Sequence, residues 1–387
     1  MGQTTTAKFR RIRKLFPVTG ERKRITYLNT ASTGPLALPV KKALYDYYEA
    51  TQYLEKSAMD ADAFAALDKI RVLGAGFIGA GPDEVGFGFS TTFGLNIAAF
   101  GLPLKNGDEV LLSNIEFPAN VYPWLALKER GIRVKFIKSI NRQFDIQQFR
   151  KSISRKSKVL SLSSVQFFNG YKNNLDEIGA ICKENGLYFV VDGIQGCGAE
   201  PIDLHKSQID IFSSGAQKWM LSPLGTSIFY IKKNLQAKLT TPFASWLSVD
   251  WKLDFTDMFH YELPFFKSAQ RFEMGTYPYA HVFATLAAFK MINSLGIGNI
   301  QRHNHNLLDI LIEYIQSNHH YRVTSCLKEE HRSSILAFTC VNAEEIYGKL
   351  RRSKIVTSYR EGAIRVSPHL FNNADDIKRL IAVLNSF

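Results

Sequence analysis

Cysteine is scarce in this chain, and what little there is lies scattered. Cys182, Cys197, Cys326 and Cys340 form no C-x-x-C pair. That spacing argues against a disulfide framework and against a structural zinc site, so no metal is expected. It suits a reducing compartment, with the cytoplasm as the default. Long apolar runs are missing as well. Nothing approaches the roughly 20 uninterrupted apolar residues of a membrane helix, so no membrane partner is expected. The N-terminal stretch MGQTTTAKFRRIRKLF is basic but lacks the apolar centre of a secretion signal. It carries Gly2 and Thr6 at the spacing of a myristoylation signal, a short pattern that chance often produces. Acidic residues are in deficit: 35 Asp plus Glu stand against 48 Lys plus Arg, a net charge of +13. Part of the surplus sits between Lys8 and Arg24, and the rest is spread along the chain. No zinc finger, RRM or other nucleic-acid module accompanies it, so it reads as a solubilising surface and no nucleic-acid partner is expected. Internal repeats and low-complexity tracts are absent.

A chain of 387 residues, 45% hydrophobic and 21% charged, can bury a substantial core and has room for two domains. From about residue 65 to 230, helical stretches alternate with short apolar runs. Helices are expected over 63–78, 119–130 and 175–185, and strands over 109–113, 133–137, 158–163, 188–192, 209–213 and 226–231. Short apolar runs without clean alternation belong to strands buried on both faces. Strands separated by helices imply crossovers, hence a largely parallel sheet with ligands at the strand ends. Beyond about residue 260 the pattern changes to helices over 280–295 and 304–316, strands over 335–340 and 363–366, and a last helix over 374–384. That part reads as a smaller α+β domain.

Two stretches carry chemistry. In Leu187-Tyr188-Phe189-Val190-Val191-Asp192-Gly193-Ile194-Gln195, a buried strand ends on an acid followed by glycine and a turn. An aspartate at such a tip points to where α/β sheets bind ligands and suits a cationic partner such as a protonated pyridine nitrogen. Taken alone it fits a turn or helix cap better. In Ser213-Ser214-Gly215-Ala216-Gln217-Lys218-Trp219, a second strand runs into a small polar turn and a single lysine. A lysine in apolar surroundings loses its proton readily, and its neutral amine condenses with carbonyls. Taken alone it fits an exposed structural lysine.

Together with Ser222-Pro223-Leu224-Gly225-Thr226, these stretches resemble the cofactor-binding signature of the class V aminotransferase family, which includes cysteine desulfurases, kynureninase and isopenicillin-N epimerase. The resemblance implies a pyridoxal-5'-phosphate (PLP) enzyme of the fold-type I α/β architecture. It also implies a large domain with a mostly parallel seven-stranded sheet and a smaller α+β domain. By that resemblance residues 1–35 form an N-terminal arm reaching the small domain and the mouth of the site. Residues 36–262 form the large PLP-binding domain, and 263–387 the small one. Lys218 would hold the cofactor as a Schiff base and shuttle the Cα proton, Asp192 would keep the pyridine nitrogen protonated, and Gln195 would bond the phenolic oxygen. Gln166 is a further candidate near that oxygen.

Other segments follow in the family's order. Gly88-Phe89-Ser90-Thr91-Thr92-Phe93-Gly94-Leu95-Asn96 resembles the phosphate-binding turn, with Thr91 and Thr92 opening a helix whose free N–H groups suit a dianion. Ser214 and Gln217 are additional phosphate candidates, although Gln217 replaces the histidine common in desulfurases. Phe117, in Glu116-Phe117-Pro118-Ala119-Asn120, stands where a ring stacks over the pyridine; desulfurases place histidine there. Arg271-Phe272-Glu273-Met274-Gly275-Thr276 resembles a segment whose threonine reaches the neighbouring subunit's phosphate, so Thr276 implies a homodimer with shared active sites. Arg365, in Gly362-Ala363-Ile364-Arg365-Val366, matches the arginine that grips the carboxylate of an amino-acid substrate. Ser32 and Thr33, in Tyr27-Leu28-Asn29-Thr30-Ala31-Ser32-Thr33-Gly34-Pro35, would touch that substrate.

Three reactions are open to such a site. A desulfurase needs a nucleophilic cysteine shortly before the carboxylate-binding arginine, and the interval from Val356 to Ala363 has none. Transamination needs only Lys218 as proton shuttle and ranks first. Elimination without a protein thiol stays open. So does epimerisation, which needs a second acid/base opposite Lys218; Phe117 is incapable of that role, and Tyr359 and His369 are the candidates. A non-catalytic regulator that keeps the fold is a remote alternative, disfavoured by the retention of Asp192, Gln195, Lys218 and Arg365 together.

Overall fold

The computed structural model describes residues 3–20, 25–53, 56–251, 256–259 and 261–386; Gly2 and Arg24 lie outside these. In chain order the strands are β1 (Thr26–Tyr27), β2 (Val85–Gly88), β3 (Glu109–Ser113), β4 (Arg133–Ile137), β5 (Ser157–Ser163), β6 (Tyr188–Asp192), β7 (Ile211–Gly215), β8 (Ser227–Ile231), β9 (Arg322–Val323), β10 (Leu336–Thr339), β11 (Ile355–Val356), β12 (Ser358–Arg360) and β13 (Ala363–Val366). Seven of them form the central sheet in the order β2-β8-β7-β6-β5-β3-β4. All neighbours run parallel except β8, which is antiparallel to both β7 and β2.

The continuous apolar runs have a simple physical origin. Along β6, Phe189 and Val191 face one core and Val190 the other; along β7, Phe212 and Ile211 divide the same way. Helices cover both faces, so neither side of these inner strands meets water and polar alternation has no place there, whereas the edge strand β4 leaves Arg133, Lys135 and Phe136 exposed. The helix Tyr279–Leu295 lies along helices Leu38–Thr51 and Lys56–Ile78, and its Val282, Phe289 and Ile292 belong to the first of these cores. That puts it with the large sheet's helical layer, although it follows residue 262 in the chain. The smaller sheet has the order β12-β13-β10-β9 and is antiparallel throughout. The N-terminal strand β1 pairs parallel with β11, and Asn29 bridges Ser367, which ties the arm to the C-terminal part. No single helix among the described residues is long and apolar enough to cross a membrane.

Three local departures from the expected elements have visible causes. The helix expected over 119–130 is broken into a 3-10 turn Pro118–Asn120, a single α-turn Tyr122–Leu125 and a 3-10 segment Ala126–Arg130. Pro118 and Pro123 bring no N–H donor, so each can only start a helical turn. Strand β7 begins two residues later than expected, because the Asp210 carboxylate accepts from Phe189 N at 3.0 Å and from Lys232 Nζ at 3.1 Å. Strand β2 was not anticipated: its sequence is Val-Gly-Phe-Gly, and glycine weakens strand signals. Here the glycine is required, because a Cβ on Gly86 would stand 2.1 Å from the ring of Phe229.

Candidate active site

Strand β6 ends at Asp192, and β7 runs beside it into the turn that carries Lys218. The helix Thr91–Gly101 opens next to that turn, capped by Ser90, whose hydroxyl accepts from Phe93 N at 3.1 Å. The arm 29–34 closes the other side: Gly34 N donates to Gln217 O at 2.8 Å, and a Cβ on Gly34 would lie 2.3 Å from Lys218 O. Only glycine permits that approach. Between these parts lies a cavity of about 320 Å³. Its walls include Ser32, Thr91, Thr92, Phe117, Asp192, Gln195, Gln217, Lys218 and Arg365, residues drawn from the whole length of the chain.

Asp192 is buried. Its Oδ1 accepts from Ile194 N at 2.9 Å, while Oδ2 has no partner among the described residues. Burial, reinforced by the nearby Glu116 carboxylate, pushes its pKa up to about 7, although Lys218 opposes the shift. Burial likewise pulls the Lys218 ammonium down to about 8, with Asp192 resisting and Arg365 and Arg360 assisting. Lys218 Nζ lies 5.8 Å from the centre of the Phe117 ring. Its chain neighbours are locked: the Trp219 carbonyl accepts from His369 Nε2 at 2.8 Å, and Trp219 Nε1 donates to Gln195 Oε1 at 3.0 Å. Gln195 also donates to Ala31 O at 3.0 Å, so its amide is held between the arm and the lysine turn.

At the helix end, Thr91 Oγ1 accepts from Gly215 N at 2.8 Å and Thr91 O accepts from Ser213 Oγ at 2.8 Å. A Cβ on Gly215 would stand 2.4 Å from Gln217 Oε1 and 3.1 Å from Thr91 Oγ1. The missing side chain keeps open a cradle between these two polar groups.

Arg365 is the strongest electrostatic feature. The residue is 2% exposed, yet no carboxylate lies within 4.0 Å of it among the described residues. Its Nε donates to Ser358 Oγ at 3.0 Å and one Nη to Ser32 Oγ at 2.8 Å, while the other Nη donates to Phe167 O. Burial and the charge of Arg360 both press its pKa downward. A buried, unneutralised guanidinium is costly unless an anion completes it.

Not every expected residue reaches the cavity. Ser214 is fully buried on the opposite face of β7 from Ser213, and its hydroxyl faces Gly215 O and the Cys197 thiol, so it is not a cavity residue. Gln166 does not line the cavity either; its Nε2 donates to Glu116 Oε1 at 2.9 Å. Thr33 is exposed and bonds only Ser32 O, at 2.8 Å, through its hydroxyl. Thr276 is exposed and lies outside this cavity, in a segment where buried Glu273 accepts from Arg71 at 2.7 Å and from Phe87 N at 2.9 Å. Tyr359 stacks on Tyr347, and His369 is buried beneath Trp219 with its pKa pushed down to about 3; neither lines the cavity. The two acid/base candidates for epimerisation are thus absent from the site.

Two residues escaped the sequence reading. Glu116 is a buried carboxylate that accepts from Asn120 Nδ2 at 2.9 Å, Ser163 Oγ at 2.5 Å, Ser163 N at 3.1 Å and Gln166. It knits the Phe117 loop to the end of β5. Its place directly before Phe117 was the only available clue. Arg360, three residues before Ala363 in the β12–β13 hairpin, also lines the cavity.

These residues fit PLP. The unpartnered Asp192 Oδ2 suits a protonated ring nitrogen, the Lys218 amine an aldehyde, and Thr91, Thr92 and Gln217 around the open cradle a phosphate. Comparison with known proteins agrees. The family Aminotransferase class-V matches residues 26–380. The chain is 26% identical over 372 residues to the uncharacterised aminotransferase YcbU of Bacillus subtilis, covering 95% of each. It is 30% identical over 295 residues to a probable cysteine desulfurase of Methanothermobacter thermautotrophicus, covering 75% of this chain and 72% of that one. Its fold matches a C-DES mutant with glycine covalently linked to the PLP cofactor, with a TM-score of 0.88, 21% identity, and 97% and 99% of the two chains covered. The chain belongs to the class V aminotransferase family of PLP-dependent enzymes.

Proposed function

We propose that this protein acts on the α-amino group of an amino acid by moving the Cα proton to the cofactor side of the C–N bond, so that the amino group stays with the cofactor, with transamination as the outcome. The observation that carries this reading is the convergence of Lys218, Asp192 and the unneutralised Arg365 on one cavity. Bound PLP supplies an electron sink that makes the Cα–H of an attached amino acid acidic. Arg365 binds the α-carboxylate with its planar fork, and Ser32, already bonded to it, holds that fork in place. Asp192 keeps a proton on the ring nitrogen through its free Oδ2. Lys218 Nζ would take the Cα proton and pass it to the cofactor carbon that carries the substrate nitrogen; a pKa pulled down to about 8 leaves more of its amine neutral than an ordinary lysine has. Thr91, Thr92 and Gln217 anchor the phosphate, and Phe117 covers the ring without proton chemistry.

The absence of a thiol from the cavity walls supports transamination over desulfuration. Cys182 and Cys197 are buried in the core with their thiol pKa values raised by burial, and Cys326 and Cys340 lie outside the cavity. The second reading is a lyase that needs no protein thiol, favoured by the fold's likeness to C-DES, a cystine C–S lyase. The active form on this reading is a homodimer, with exposed Thr276 reaching the partner's phosphate site. The test is NMR of product mixtures after PLP-loaded protein meets pooled amino acids with and without a keto-acid acceptor. Acceptor-dependent exchange supports transamination. Keto acid and ammonia released without acceptor point to the lyase, and loss of either activity on a single cysteine substitution would restore the persulfide route.

A further inference from the structure

The turn that follows Asp192 ends in a buried carboxylate with no part in the chemistry of the cavity. Glu200 is 1% exposed and does not line the active-site walls. The turn itself is compact: Gly196 N and Cys197 N both donate to Gly193 O at 2.9 Å, and Glu200 N donates to Gly196 O at 2.8 Å. It lies hard against the lysine turn, since a Cβ on Gly198 would stand 2.8 Å from Trp219 O. From its far end Glu200 reaches residues of the C-terminal part. Its Oε1 accepts from Ser334 N at 2.8 Å and Ser334 Oγ at 2.7 Å, and its Oε2 accepts from Gln301 Nε2 at 2.7 Å. Asn304 Nδ2 donates to the Ser334 hydroxyl at 3.1 Å and so aims its proton at Glu200. His305 Nε2 stands 3.8 Å and Lys172 Nζ 3.9 Å from the carboxylate. Burial raises the Glu200 pKa, but His305, Lys172 and the Ser334 hydroxyl outweigh it and hold the group below the usual carboxylate range.

Ser334 leads straight into β10, where Ala337 is paired with Arg365 of β13. One turn, one carboxylate and the start of one strand therefore join Asp192 to Arg365. Asp192 ends a strand of the large sheet, whereas Arg365 belongs to the smaller one. An amino acid held by its nitrogen at the cofactor end and by its carboxylate at Arg365 spans the two, so their spacing decides whether both ends are held at once. Apolar packing would join two parts of a protein at less cost than a buried charge does. What directional bonds to a carboxylate add is a fixed position. Resting on the amino-acid reading above, we propose that Glu200 is a positioning residue, which sets Arg365 at the distance from the Asp192–Lys218 end that an α-amino acid spans. A second hold, His369 Nε2 on Trp219 O, ties the chain just past β13 to the lysine turn. Loss of Glu200 thus loosens the spacing without abolishing it.

The test titrates the cofactor absorbance of PLP-loaded protein with amino acids and with the matching amines that lack the α-carboxylate. The pairs are L-alanine with ethylamine, L-leucine with 3-methylbutylamine and L-glutamate with 4-aminobutyrate. In Glu200→Gln, half-saturation by the amino acid is expected to rise about 5- to 50-fold, short of the hundredfold that a misplacement of roughly 1 Å can cost, because the His369 tie remains. Glu200→Ala should lose more, since glutamine still offers Ser334 an acceptor. The amine should titrate as it does in the unaltered protein, and PLP capture by Lys218 should be unchanged, because neither uses Arg365. Ser334→Ala removes the hydroxyl from the other side of the tie; it should give the same pattern in smaller measure, and it decides the matter where a Glu200 variant does not fold. Amino acid and amine weakened alike, or PLP lost, would make Glu200 a structural tie and overturn the inference. Unchanged amino-acid titration in both Glu200 variants overturns it too, and either result leaves the amino-acid reading standing. If no amino acid perturbs the cofactor of the unaltered protein, or each titrates no better than its amine, both readings fall.

Discussion

Replacing Arg365 with methionine separates what this residue does for binding from what it does for the fold. In the folded protein its guanidinium has lost nearly all contact with water and gained three neutral partners, Ser358, Ser32 and the Phe167 carbonyl. Taking a cation out of water costs several kcal/mol. Each hydrogen bond from a charged group returns about 1.5–3 kcal/mol. The two sums are of the same size, so Arg365→Met should change folding stability by no more than about 2 kcal/mol in either direction. Binding is another matter. Losing a desolvated guanidinium–carboxylate contact costs about 2–5 kcal/mol, which is roughly 30-fold to a few thousand-fold in dissociation constant. Urea denaturation of the PLP-loaded protein measures the first effect. Titrating the cofactor's absorbance with an amino acid measures the second. Amino-acid affinity that survives the substitution, or a stability loss beyond about 3 kcal/mol, would show that the guanidinium is a structural tie and not a substrate clamp.

Three further outcomes are expected. The rate at which apoprotein captures PLP covalently, trapped with borohydride and located by mass spectrometry, should rise with pH and level off above about 8, since only the neutral Lys218 amine reacts; because Asp192 favours the charged lysine, Asp192→Asn should move that plateau to lower pH, and a flat profile would contradict the assignment. The same Asp192→Asn variant should keep its fold but lose two decades or more of turnover, as removing a buried partner of a cation costs about 3–5 kcal/mol; near-normal rates would refute its role at the ring nitrogen. Glu273→Ala strands Tyr277 and the Phe87 amide in a buried site and leaves Arg71 only its exposed partner Asp68, so it should destabilise the protein by about 3 kcal/mol in chemical denaturation; a loss under 1 kcal/mol would mean that water replaces the carboxylate.

The sheet was readable from the sequence because burial on both faces imposes a pattern that survives without context. Short runs such as Tyr188–Asp192 and Glu109–Ser113 are apolar through their centres because each of their faces meets a helix layer. The proposed Asp192–Lys218 pair was readable through its resemblance to the family signature, carried by two local features: Asp192 ends a strand before a glycine, and Lys218 follows a strand end and a small polar turn. What failed was local chemistry that competes with pattern. Prolines broke the 119–130 segment, and the glycines of Val85–Gly88 hid a strand whose missing side chains make room for Phe229.

Only the tertiary structure decided which way polar side chains point and which distant residues share a space. Ser213 and Ser214 are chemically identical neighbours, yet pairing of β7 with β6 and β8 turns Ser213 towards Thr91 and Ser214 towards Cys197. A period of two residues assigns opposite faces but not which face holds the site. Gln166 resembles a cofactor ligand until the loop after β3 delivers Glu116 to its amide. Arg360 has no motif of its own. It becomes part of the site because a tight hairpin at 361–362 folds it back beside Arg365, and because Glu361 turns away to Arg142. The sequence by itself determined the sheet, which follows from hydrophobic burial, and pointed to the lysine and the aspartate through strand ends that resemble the family signature. The charge balance of the cavity depends on which acids come near which cations, and that sum over distant parts of the chain exists only once the chain is folded.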